Sequence, residues 1–115
     1  MFTIGKLATL TKITADTLRY YEREKLIIPI KKSEGGYRLY DNHSVQRIRF
    51  IKQAQYCGFT LTEIRQLLAL HYHETTGRND TRQWIIEKKL HLKDKIRAIK
   101  YISKTLDRLL AANFS

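Results

Sequence analysis

Cysteine is almost absent from this sequence: Cys57 stands alone, so no intrachain disulfide can form. Proline is as scarce. Pro29 blocks helix continuation where it stands, and the stretch from Asp80 to Ala112 contains neither glycine nor proline. No apolar run reaches the roughly eighteen residues that a membrane-spanning helix needs, and no basic segment followed by an apolar core opens the chain. Neither a spanning segment nor a signal peptide is expected, and no membrane partner, which places the protein in the cytoplasm.

The groupings that mark an enzyme are missing as well. There is no phosphate-cradling glycine-rich motif, no Cys/His or Ser/His/Asp set with supporting spacing, and no carboxylate pair enclosed by apolar residues. No catalytic residue and no cofactor is assigned. Acidic residues are few: 11 Asp+Glu face 22 Lys+Arg, which gives a net charge of +11 and favours a polyanionic partner. The excess is spread evenly, with eleven basic and five acidic residues up to position 60 and eleven and six after it, so charge alone does not locate a site. At 115 residues with 43% hydrophobic content, the chain suits one small domain and one extended element.

What is present is mainly helical punctuation. Thr3 is a candidate N-cap for a first helix carrying Ile4, Leu7, Ala8 and Leu10, and Thr14 for a second with Asp16 in its first turn and Leu18 facing the core. Two short helices a few residues apart form a helix-turn-helix candidate. After Pro29, "IPIKKSEGGYRLY" reads as a small β-hairpin wing closed at Gly35-Gly36. Asp41 or Asn42 can cap a third helix through Val45, Ile48, Ile51 and Ala54 to about Gly58, and "TLTE" at 60–63 is a capping box that opens a fourth with Ile64, Leu67 and Leu68.

Residues 71–79 have no apolar period and read as a loop between a winged helix-turn-helix domain at 1–70 and a helix at 80–112, with 113–115 as a short tail. In that helix Ile85, Leu92, Ile99 and Leu106 recur every seven residues, and Ile96 and Leu110 interleave, while Lys89 and Ser103 interrupt the second seam. At 1.5 Å per residue it is roughly 45 Å long. Such a helix cannot cover its stripe on a small domain, so a homodimer through a coiled coil is expected, with Trp84 at the interface.

The two arginine-aromatic clusters, "TLRYYE" and "GGYRLY", then acquire a purpose. A recognition helix in the major groove needs outward donors, which Arg19 and Tyr21 can supply, and a wing needs donors for phosphates or the minor groove, for which Tyr37, Arg38 and Tyr40 are candidates. Lys12, Thr14 and Thr17 lie at the entrance of the second helix, where hydroxyls, an ammonium and free amides can meet phosphate oxygens, and Thr3 is placed with them. The double-stranded DNA reading competes with a membrane-surface reading of the lysine-rich long helix, which leaves the wing and its Arg-Tyr pairs unexplained.

"FTIGKLATLTKITADTLRYYEREKLIIP" and "SEGGYRLYDNHSVQRIRFIKQAQYCGFTLTEIRQLL" together resemble the DNA-binding half of MerR-type transcription regulators of bacteria, above all the zinc-responsive ZntR-like branch. The resemblance implies a mainly α, winged helix-turn-helix homodimer joined by an antiparallel coiled coil. It further implies a pseudo-palindromic promoter element that the dimer bends and undertwists for RNA polymerase. Metal-sensing members place a cysteine or serine just before the long helix and two cysteines after it. Here Asn79 occupies the first position, Asn113 and Phe114 fall near the second, and the chain stops at Ser115, so direct thiolate sensing is not expected and no metal ligand is assigned. A constitutive DNA-bending or repressor role, and zinc sensing through non-cysteine ligands, stand as alternatives. Of the remaining candidates, His71 and His73 with Glu74 have weak ligand spacing, Cys57 reads as a small buried hydrophobe, and His43 and His91 read as surface residues.

Overall fold

The computed structural model describes residues 1–114, so Ser115 of the expected tail lies outside the described residues. The chain divides into two compact units, Met1–Thr75 and a second that begins at Thr76. In the first, α1 (Ile4–Thr11) and α2 (Ala15–Arg23) each start on a threonine: Thr3 Oγ1 accepts from Lys6 N at 3.3 Å, and Thr14 Oγ1 accepts from Thr17 N at 3.2 Å. These caps satisfy amides that the helix itself leaves unpaired. Both helices close over a left-handed lysine, Lys12 (φ 58) and Lys25 (φ 59), with Ile13 N donating to Ala8 O and Leu26 N to Tyr21 O. That six-to-one bond ends a helix sharply and turns the chain, which is what a helix-turn-helix requires.

The wing is minimal. β1 (Lys31–Lys32) pairs antiparallel with β2 (Arg38–Leu39), with Lys31 opposite Leu39 and Lys32 opposite Arg38. Ser33 N donates to Tyr37 O at 2.7 Å and Gly36 N to Ser33 O at 2.9 Å, so the loop is three residues with Gly36 at φ 83, a conformation side chains rarely tolerate. Phe2 and Tyr40 exchange two backbone hydrogen bonds at 2.7 and 2.8 Å, which ties the N-terminus to the wing's base.

α3 (Asn42–Tyr56) is capped by Asp41, which accepts from His43 N and Ser44 N, and α4 (Leu61–His71) by the Thr60–Glu63 capping box in both directions. Leu7, Leu18, Tyr21, Leu26, Ile27, Tyr40, Ile48, Ile51, Ala54, Ile64 and Leu68 form one core to which all four helices, the linker and the wing contribute. Cys57 is not in it. The buried stripe of α3 steps through Ser44, Ile48, Ile51 and Ala54, and the C-cap residue falls off that stripe into solvent. The sequence reading of Cys57 as buried is corrected accordingly.

Arg47 braces the segment that follows α2. Its Nε donates to Leu26 O at 2.5 Å, its Nη1 meets Glu74 Oε1 at 2.7 Å, and its guanidinium lies 5.2 Å from the centre of the Tyr72 ring. His71 stacks on Phe50 and meets Tyr72 edge-on, as does His43. Glu74 is thus engaged by a cation and His71 by rings.

The second unit is α5 (Asn79–Asn113), 35 residues and about 52 Å long at 1.5 Å per residue. None of its residues is buried. Among the described residues no helix is long and apolar enough to cross a membrane.

Candidate nucleic-acid interface

The helix-turn-helix and the wing meet around a concavity of about 190 Å³ lined by Thr3, Ile4, Arg19, Gly36, Tyr37, Arg38 and Tyr40. Five sequence-assigned residues from three separate elements therefore converge on one cleft. Thr3 arrives from the cap of α1, Arg19 from the outer face of α2, and Tyr37 and Arg38 from the wing. A Cβ on Gly35 would stand 3.3 Å from Cε2 of the Tyr37 ring, so the ring packs close over the turn. The Tyr37 ring itself is 70% exposed.

Both arginines are held in place by carboxylates. Arg19 Nη1 pairs with Asp16 Oδ1 at 3.0 Å across one helical turn, with both side chains well exposed. Arg38 Nε pairs with Glu22 Oε1 at 2.9 Å, and here the carboxylate is only 16% exposed. The first pair is a surface contact of small stabilising value. The second joins wing to recognition helix and fixes where Arg38 points, a positioning role for Glu22 that the sequence reading did not assign.

Two assigned tyrosines are placed differently from expectation. Tyr21 is 4% exposed and its hydroxyl donates to Gln55 Oε1 at 2.8 Å, because it follows Leu18 by three residues and shares that helix face. Tyr40 is fully buried at the wing's base. Neither presents a ring to solvent, so their assignment as surface DNA donors is corrected to core residues that position their neighbours. The outward aromatic of α2 is Tyr20, with the Arg23 guanidinium 5.9 Å from its ring centre. The Tyr40 hydroxyl makes no well-formed hydrogen bond. Burial raises its pKa, the neighbouring Glu22 charge raises it further, and Arg38 opposes both.

The other assigned residues lie at the entrance of α2 and do not line the cleft. Thr14 Oγ1 accepts from Thr17 N and donates to Thr17 Oγ1 at 2.9 Å, which leaves the Thr17 hydroxyl proton as the outward donor, beside the exposed Lys12. The positive end of α2 points the same way.

In α5 the sequence-assigned seam is open to solvent: Ile85 is 37% exposed, Ile96, Ile99, Leu106 and Leu110 are 50–67% exposed, and Trp84 and Leu92 are half-buried. Lys88 Nζ lies 5.8 Å from the centre of the Trp84 ring. Ile102 and Leu109, also exposed, fall three residues after Ile99 and Leu106 and widen the stripe in the C-terminal half, a periodic signal that the sequence reading missed.

A winged helix-turn-helix followed by one long helix with an uncovered apolar stripe defines a class of DNA-binding regulator. Residues 2–70 match the MerR HTH family regulatory protein family, and residues 45–109 match the family described as MerR, DNA binding. The chain belongs to the MerR family. It is 33% identical over 110 residues to the HTH-type transcriptional regulator ZntR of Escherichia coli (95% of this chain, 78% of the relative). It is 38% identical over 105 residues to the mercuric resistance operon regulatory protein of Bacillus cereus (91% and 80%). Among solved structures it shares the fold of HiNmlR, a MerR family regulator lacking the sensor domain, bound to promoter DNA, with a TM-score of 0.75 at 22% identity, covering 96% of this chain and 83% of that one.

Proposed function

We propose that this MerR-family regulator acts as a homodimer on a pseudo-palindromic promoter element, with one winged helix-turn-helix per half-site and α5 as the antiparallel coiled-coil seam. The observation that carries the reading is the cleft that gathers Thr3, Arg19, Tyr37 and Arg38 between recognition helix and wing. α2 enters the major groove, and the wing reaches the flanking backbone. Arg19 exchanges Asp16 for DNA, while Arg38 keeps Glu22 as its anchor and offers its remaining N–H groups to phosphate. Lys12 and the Thr17 hydroxyl hold the phosphate at the N-terminus of α2, where Thr14 caps the helix and orients Thr17.

Bending and undertwisting a duplex of this size costs on the order of 1 to 6 kcal/mol, which phosphate contacts from both protomers must supply. The reward is a promoter reshaped for RNA polymerase. The function is therefore regulatory and not enzymatic, and its place is the cytoplasm, where the promoter is. With Cys57 at the end of α3 and asparagines at 79 and 113, these residues offer no thiolate cluster along α5 for direct metal sensing.

Run-off transcription with RNA polymerase on the promoter beside the protein's own gene tests this, with and without protein, each in excess zinc and in chelator. Equal activation in zinc and in chelator is expected. Activation only with zinc would assign sensing to histidine or other non-cysteine ligands, and no effect on transcription in any condition would remove the regulatory reading. On a duplex selected from a random pool, Arg19→Ala and Arg38→Ala should each weaken binding by about 1 to 3 kcal/mol.

A further inference from the structure

A larger concavity, about 230 Å³, lies on the first unit between the C-terminal end of α1 and the outer face of α3. Its rim carries Lys12, Arg49 and Lys52, all exposed, with Gln53 beside them and Val45 and Ile48 below. Resting on the DNA-binding function proposed above, we infer that this cleft is a further docking site for DNA backbone phosphates, in which Arg49 and Lys52 extend the contact begun by Lys12.

Three observations carry this. The first is the state of the cations. Arg19 and Arg38 already face carboxylates, and so do Arg47 and Arg65, whereas among the described residues no carboxylate lies within ion-pair distance of Lys12, Arg49 or Lys52. Three clustered cations without counter-charge repel one another, and an anion relieves that repulsion. The second is continuity. Lys12 is the left-handed cap of α1 and stands two residues before Thr14, the cap of α2, so the cleft begins where the recognition helix presents its free amides. The third is spacing. Arg49 and Lys52 are one turn apart on α3, about 5–6 Å at Cβ, which sets two cations in a row rather than a single point. A row of positive charge running from a helix-turn-helix suits a duplex backbone, where successive phosphates supply successive partners.

Phosphate contacts are sequence-blind and salt-dependent, so the test does not need the natural operator. Binding of wild type and Arg49→Ala/Lys52→Ala to a mixed-sequence duplex several helical turns long is followed as a function of salt concentration. The log–log slope of the variant should be shallower by about 4, one for each of the two cations removed from each protomer of the dimer, and affinity for a selected operator should fall as well. The conservative variant Arg49→Lys/Lys52→Arg should keep the wild-type slope, and unchanged thermal melting of the alanine variant shows that the fold is intact. An unchanged slope and affinity in the alanine variant, with wild type binding normally, overturns the assignment of the cleft alone. The same unchanged binding with transcription lost overturns it in favour of an acidic polypeptide surface. If wild type binds neither duplex, the DNA-binding reading falls and this inference with it.

Discussion

In residues 1–75 eleven apolar side chains are buried, nine of them completely, whereas α5 spans 35 residues and buries none. Both regions are rich in leucine and isoleucine, so composition does not explain the contrast. Geometry does. The first unit breaks its apolar residues over four short helices, each ended by a cap or a left-handed turn, and the chain reverses often enough to fold them onto one another. α5 has no such break, and its Ile96, Ile99, Ile102, Leu106 and Leu109 lie exposed along one stripe. A stripe of that length on an isolated helix would leave a large apolar surface in water, and a second copy is the simplest cover. The first unit holds its fold from within, whereas the stripe of the second is what the proposed homodimer would cover.

The largest effect should come from breaking the first half of that comparison. Leu18→Ala or Ile48→Ala removes a fully buried side chain and should cost about 2 to 5 kcal/mol, read by denaturant unfolding with DNA binding lost in parallel. A cost below about 1 kcal/mol would mean that the core is not the source of the unit's stability.

Next in size is the second half. Ile99→Ala/Leu106→Ala should weaken self-association by about 1.5 to 3 kcal/mol for each side chain that the partner buries, seen as monomer in sedimentation velocity at micromolar concentrations. Unfolding of the first unit should barely change. If the double variant remained dimeric, the stripe would not be the seam.

A smaller effect belongs to a single cap. Thr60→Ala removes one side of the Thr60–Glu63 box and should cost about 1 kcal/mol in denaturant unfolding, leaving the dimer unaffected. Retained stability would show that the turn before α4 is fixed by packing instead.

The same contrast governs what could be read before the fold was known. The helices were legible because their caps are chemical statements: Thr3, Thr14, Asp41 and Thr60 each precede an apolar period and each accepts from an amide. The wing was legible through Gly35-Gly36. The depth of each side chain was less so, since Tyr20 and Tyr21 are equivalent in composition and only the three-residue step from Leu18 separates the core ring from the surface ring. Tyr40 was misplaced because a two-residue strand is too short to show alternation, and its burial depends on Phe2, thirty-eight positions away in sequence. The pairing of Glu22 with Arg38 has the same origin. Such contacts arise from tertiary packing, which no local pattern encodes.

Tyr40 also offers the finest test of how the wing is tied to the core. Its hydroxyl is buried without a well-formed hydrogen bond beside Glu22, so Tyr40→Phe removes a desolvated polar group and keeps the ring. Stability at neutral pH should change by less than about 0.5 kcal/mol, or rise, since nothing is left unpaired. The alkaline limb should change more clearly. Burial first, and Glu22 second, raise the Tyr40 pKa above the ordinary 10.0, so the unfolded chain releases this proton before the folded one does. Stability associated with the protonated phenol is complete below that value and is lost as pH rises from 10.0 through the folded-state pKa. Tyr40→Phe should flatten that decline, and the part that remains belongs to Tyr21, whose pKa burial also raises. An undiminished decline in the variant would mean that Tyr40 is reached by water in the folded protein, and that the wing's base opens far more readily than its two hydrogen bonds to Phe2 imply.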